Sequence, residues 1–239
     1  MPPKRSRGPG RGTDDLARLE AEITGCRRCP RLVAWREQVA EERRASFRDE
    51  EYWGRPIPGF GDPAARLLVL GLAPAAHGGN RTGRVFTGDR SGDWLYAALF
   101  RAGYANQPTS RHRDDGLQLT GCWVCAAVRC APPANKPTPD ERDACAPYLE
   151  REVGLLPDIA VVVALGRFAW DVAWSVLARG VRPRPAFAHL AEAALPADIA
   201  GRSRTLVGSF HPSQQNTFTG RLTEPMFDAV FTRARALGA

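Results

Sequence analysis

The sequence has no run of about eighteen apolar residues, so no membrane-spanning helix is expected. It also lacks an apolar stretch behind its basic start. Met1 to Thr13 is cationic and Gly/Pro-rich, which excludes a secretory signal and predicts a disordered arm able to touch phosphates. Internal repeats are absent, which removes solenoid and propeller architectures. Acidic residues are outnumbered, 26 against 33 basic ones, and the net charge of +7 points either to a polyanionic partner or simply to a solubilising surface. A cytoplasmic, nucleoid-associated protein is the expectation. With 239 residues, of which 44% are hydrophobic, one packed domain over 14–239 is predicted behind the arm at 1–13.

Four apolar runs read as buried strands: Arg66 to Leu72, a segment within Gln118 to Val128, Asp158 to Leu165, and Arg204 to Phe210. Helical stretches lie between and around them. Asp14 to Thr24 and a charged, largely exposed Arg31 to Arg48 come first. Ser91 is placed to cap a helix reaching Ala102. Thr138, Pro139 and Glu141 form a capping box for a helix to about Val153. Further helices run to Leu177 and from Leu222 to Leu237, and Arg179 to Gly201 is a Pro/Ala-rich excursion. Strands alternating with helices predict an α/β domain with a central four-stranded parallel sheet flanked by helices. The site of such a fold lies beyond the carboxyl ends of its strands.

Three loops fall there. The first, Gly71 to Gly92, is rich in glycine and leads into a helix N-terminus, which favours anions. Within it Phe86 is available to stack on a flat ring, or to plug the core, and Asp89 could hold a water, or cap the helix. The second loop carries Asn135, whose amide both donates and accepts, or which serves only the turn. The third places His211 directly after a strand, followed by Ser213, Gln214, Gln215 and Asn216.

Six cysteines in a reducing compartment favour metal ligation or buried thiols over disulfides. Cys26 and Cys29 share a C-x2-C turn, and Cys130 and Cys145 stand in a loop and the capped helix. A zinc-ribbon alternative would pair the first two with Cys122 and Cys125. Those two fall on a predicted strand, where positions three apart face opposite ways. Four thiolates bind zinc or an iron–sulfur cluster, and spacing does not choose between them. Six buried hydrophobes is the remaining possibility.

The segments GLAPAAHGGNRTGRVFTGDRSG, VRCAPPANKPTP and SFHPSQQNTFTGRLTEP closely resemble the signature segments of family 5 (type b) uracil-DNA glycosylases. The resemblance runs from about Cys26 to the C-terminus and leaves out 1–13 and 180–203. It implies a four-stranded parallel sheet, and removal of uracil and other deaminated bases such as hypoxanthine from double-stranded DNA. It also implies a [4Fe–4S] cluster on Cys26, Cys29, Cys130 and Cys145. Leu72 and Ala73 stand where related glycosylases carry a polar catalytic residue, as is typical of type b. Asp89 then matches the proposed water-positioning aspartate. His211 would bond the base's developing oxyanion, and Asn135 would hold the base edge or the water. Gly71, Ala73 and Phe86 would line the base pocket. Arg81, Arg84, Lys136 and Arg221 would clamp phosphates, with Ser213, Gln214, Gln215 and Asn216 at the gap left in the stack. A monomer is expected. A type a or DNA-crosslinking glycosylase is the nearest alternative, and a non-catalytic iron–sulfur DNA-binding sensor is one of another class.

Overall fold

The computed structural model describes residues 15–197 and 201–239, so the predicted arm lies outside the described residues. The four predicted strands form as β2 (Leu67–Gly71), β3 (Cys122–Ala126), β4 (Val161–Leu165) and β6 (Arg204–Ser209), all parallel, in the order β3-β2-β4-β6. The sheet is larger than expected. A two-residue β1 (Phe60–Gly61) pairs antiparallel with β3, and β5 (Glu192–Leu195) pairs antiparallel with β6, giving six strands. Neither edge strand has the continuous apolar run that marks a strand buried on both faces.

The helices are α1 (Leu16–Thr24), α2 (Pro30–Glu42), α3 (Gly79–Thr82), α4 (Arg90–Arg101), α5 (Pro139–Leu155), α6 (Arg167–Leu177), α7 (Gln214–Phe218) and α8 (Glu224–Ala236). On one sheet face Leu67, Val69, Val124, Val163 and Val207 pack against Leu95, Leu99, Phe227 and Phe231 of α4 and α8. On the other, Leu68, Leu70, Cys125, Val162 and Leu206 meet Leu149, Val153 and Trp170 of α5 and α6. Burying each of these side chains stabilises the fold by roughly 1.5–3 kcal/mol. Cys122 joins the first layer and Cys125 the second, as strand alternation demands, so the zinc-ribbon set cannot close on one metal.

The capping box forms as expected: Thr138 accepts from the Glu141 amide, and the Glu141 carboxylate accepts from the Thr138 amide at 2.8 Å. Two expectations are corrected. The second helix stops at Glu42, where Arg43 takes φ 51, and although most of its residues are exposed it is anchored by a buried face. It buries Leu32, Val33, Arg36 and Val39 along one stripe that its many charges conceal in the sequence. The residue capping α4 is Asp89 rather than Ser91, with its Oδ1 accepting from the Gly92 amide at 3.0 Å. No helix among the described residues is long and apolar enough to cross a membrane.

Candidate active site at the carboxyl ends of the strands

Three side chains from two loops are each seated on a glycine. Phe86 takes φ 51, in the left-handed region, and its ring lies on Gly71 at the end of β2. A Cβ added to Gly71 would stand 2.5 Å from Cζ of that ring. The ring centroid is 6.1 Å from that of His211, at an interplanar angle of 34°. His211 in turn fits against Gly166 at the end of β4 (φ +90). The Asp89 carboxylate rests on Gly78, where an added Cβ would come 2.1 Å from Oδ2. The first and third loops, more than a hundred residues apart in sequence, thus form one wall. We expect Gly78→Ala to displace the Asp89 carboxylate and lower any catalytic rate more than it lowers the melting temperature, a contrast read from single-turnover kinetics beside calorimetry.

The electrostatics differ between the two titratable groups. Burial raises the Asp89 pKa above 3.8, an effect partly offset by the Gly92 and Ser91 amides. Burial lowers the His211 pKa to about 4, so its imidazole is neutral at physiological pH. An open cleft beside His211 is walled by Gly166, Arg167, Phe187, Phe210, Asn216 and Arg221.

The predicted phosphate contacts divide. Arg221 is exposed, its guanidinium 4.8 Å from the Phe210 ring centroid, and Lys136 is exposed as well. Arg81 and Arg84 are not available, which corrects the expectation for both. Arg81 is buried, pairs with Glu50, and donates to the His77 and Gly88 carbonyls at 2.9 and 3.1 Å. Arg84 is 4% exposed and donates to Asp115 Oδ2 at 2.7 Å, Ser110 Oγ at 2.7 Å and Thr87 Oγ1 at 3.0 Å. Both arginines therefore hold the Thr87-Gly88-Asp89 turn in shape. Arg84→Met would leave the half-buried Asp115 carboxylate to the Arg111, His112 and Leu117 amides alone. A loss of about 1.5–3 kcal/mol in unfolding free energy is expected, measured by urea denaturation.

The remaining residues are placed as follows. Ser213 caps α7, whose Gln214 and Gln215 are exposed. Asn216 donates to the His211 carbonyl at 2.9 Å and so braces the loop rather than projecting from it. Asn135 is exposed at φ 55 on a short 3-10 turn, and among the described residues no hydrogen bond joins it to Phe86, Asp89 or His211. Ala73 packs against the cluster of Leu32, Val128, Cys130 and Cys145. The sequence reading passed over Arg167 and Phe187. The signal for Arg167 was its position directly after the glycine that ends β4, a fourth loop at the same edge. Phe187 sits in the Pro/Ala-rich excursion and carried no signal.

Cys26, Cys29, Cys130 and Cys145 line one small enclosed cavity with Arg36, Arg129 and Tyr148. The four cysteines that the resemblance implies as ligands are therefore brought together, although no three His, Cys, Asp or Glu among the described residues stand at metal-binding geometry. The surrounding charges suit a negative occupant. Arg36 donates to Cys130 Sγ at 2.9 Å, and Arg129 lies fully buried beside Cys145, closed by Glu152. Four sulfurs flanked by buried guanidinium groups fit a thiolate-ligated metal centre.

A mixed sheet with a parallel centre, carrying a phenylalanine, a helix-capping aspartate and a neutral histidine at its carboxyl edge, defines a class. The chain belongs to the uracil DNA glycosylase superfamily, whose family model matches residues 58–235. It is 53% identical over 227 residues to a type-5 uracil-DNA glycosylase of Mycobacterium bovis, spanning 95% of this chain and 83% of the relative. To type-5 enzymes of Thermus thermophilus it is 54% identical over 217 residues (90% and 94%), and of Pyrobaculum aerophilum 44% over 215 residues (90% and 89%). Within the superfamily, the chain falls among the type-5 uracil-DNA glycosylases.

Proposed function

We propose that this protein hydrolyses the N-glycosidic bond of uracil, and of other deaminated bases such as hypoxanthine, in double-stranded DNA and leaves an abasic site. It works as a cytoplasmic, nucleoid-associated monomer. The observation that carries this reading is the meeting of Phe86 and His211 at one sheet edge, with Asp89 capping the helix that follows the loop bearing Phe86.

The target nucleotide must leave the stack, at a cost of a few kcal/mol. Arg221 and Lys136 bind the phosphates, Gln214 and Gln215 on α7 occupy the vacated space, and Ser213 keeps that helix capped. Phe86 stacks on the flipped base above Gly71. Bond breaking puts positive charge on the sugar and negative charge on the base, as in glycoside hydrolysis. Neutral His211 donates a hydrogen bond to the base oxygen where charge develops. Ionised Asp89 stabilises the sugar cation and orients the water that attacks the anomeric carbon. Asn135, on its exposed turn, meets the base edge only when DNA is bound.

Cys26, Cys29, Cys130 and Cys145 hold a [4Fe–4S] cluster in this reading. When bound, the cluster supplies cross-linking between the α1–α2 turn, the loop after β3 and α5, and no chemistry at the base. Absorbance near 400 nm with matching iron and sulfide supports it; a colourless protein carrying zinc refutes it.

Release of free base from duplexes with one uracil or one hypoxanthine is the direct test, with Asp89→Ala and His211→Ala alongside. Base release by the parent protein, strongly slowed in both variants while their binding is kept, is expected. Binding without release would favour a non-catalytic DNA-binding protein.

A further inference from the structure

We infer that Arg36 is the counter-ion and hydrogen-bond donor of the cysteine cage, and that it raises the reduction potential of the cluster held there. The inference rests on the cofactor reading above. Cys29 caps α2, and Arg36 follows seven residues, or two turns, later on the same face. Its side chain is 2% exposed. Nη1 lies 2.9 Å from Cys130 Sγ and Nη2 lies 3.2 Å from the Cys26 carbonyl oxygen. One guanidinium thus spans the two halves of the cage.

Its charge has no dedicated carboxylate partner. The nearest, Glu37 Oε1, stands 3.8 Å from Nη2, beyond hydrogen-bond reach, and Glu37 is itself held by both arms of Arg27. Arg129, the other buried cation of the cavity, is closed by both oxygens of Glu152. A buried cation is costly unless matched. Neutral thiols would leave Arg36 only the longer ion pair with Glu37 that Arg27 shares, whereas four thiolates around a [4Fe–4S] core carry net negative charge and match it. Reduction adds one more negative charge to that core. A fixed cation donating to a ligand sulfur therefore favours the reduced form over the oxidised one.

The test uses the full chain as parent, Arg36→Gln and Arg36→Lys. Iron and acid-labile sulfide are quantified first, and the cluster potential is then titrated with its spectrum as the readout. All three proteins are expected to carry the cluster, with the potential of Arg36→Gln below that of the parent and Arg36→Lys between them. A parent without iron and sulfide overturns the cofactor reading and the inference together. A loaded parent with an unchanged potential in Arg36→Gln overturns the inference alone, since a purely structural arginine would lower the melting temperature and leave the potential in place. Should Arg36→Gln fail to keep the cluster, Arg36→Lys is the comparison, because lysine keeps the charge and loses the fork. A lower potential in it supports the inference, and one equal to or above the parent's overturns it.

Discussion

Asp89→Asn is expected to slow single-turnover uracil release by about a hundred- to ten-thousand-fold, with fold and DNA affinity retained. Asparagine caps a helix as well as aspartate does, so the substitution separates the two duties of this residue. The Oδ1 bond to the Gly92 amide survives, and the charge that stabilises the sugar cation and aligns water does not. Burial raises the Asp89 pKa above 3.8, which sets the sign of two pH effects. Excision by the parent should fall as pH drops through that raised value, because the carboxylate is the working form. Stability runs the other way. A group whose folded pKa is raised contributes stability when protonated and loses it as pH rises through the folded value. At neutral pH the parent therefore bears the burden of a buried carboxylate, which the neutral amide of the variant does not carry. Calorimetry should find the variant with the higher melting temperature at pH 7, and the gap should close as pH approaches 3.8. A variant that releases uracil at the parent's rate would reduce Asp89 to a helix cap.

His211→Ala is expected to cost about a hundred- to a thousand-fold in the same assay, the usual loss when one donor to a developing oxyanion is removed. Because burial holds the His211 pKa at about 4, the imidazole works as a neutral donor, and the parent's rate should show no titration near 6.5. A rate that rises as pH falls through 6.5 would instead make the imidazolium the active species. Protonation near 6.5 belongs to the unfolded chain alone. The parent should therefore lose stability as pH falls from about 6.5 towards 4, and His211→Ala should lose less.

Much of this was readable in the chain itself. The four central strands declared themselves as continuous apolar runs, because both faces of each are buried. The cap of α5 followed from Thr138, Pro139 and Glu141, whose interactions are local and need no tertiary partner. The opposite facing of Cys122 and Cys125 followed from strand geometry. Features set by distant partners were hidden. Arg84 reads as a cation in a Gly-rich loop, and only the approach of Asp115, 31 residues on, turns it inward. Arg81 is turned inward by Glu50 in the same way. The edge strand β5 was invisible because it is four residues long and buries only Leu195. Ser91 and Asp89 were both competent caps, and the choice between them rests on which residue leaves the helical conformation, as Asp89 does at φ −142.

The three glycine contacts carry an evolutionary consequence. Gly71 with Phe86, Gly78 with Asp89 and Gly166 with His211 are interlocked pairs, each a functional side chain seated on a position with no Cβ. A side chain at Gly71 or Gly78 displaces its partner, one at Gly166 is strained at φ +90 and crowds the His211 Cβ, and changing the partner alone leaves the space unfilled. Substitutions at such pairs are epistatic, each tolerated or not according to the other. Lineages that drift towards a new base preference should therefore change these positions two at a time, and libraries that vary one residue at a time should find the site nearly frozen.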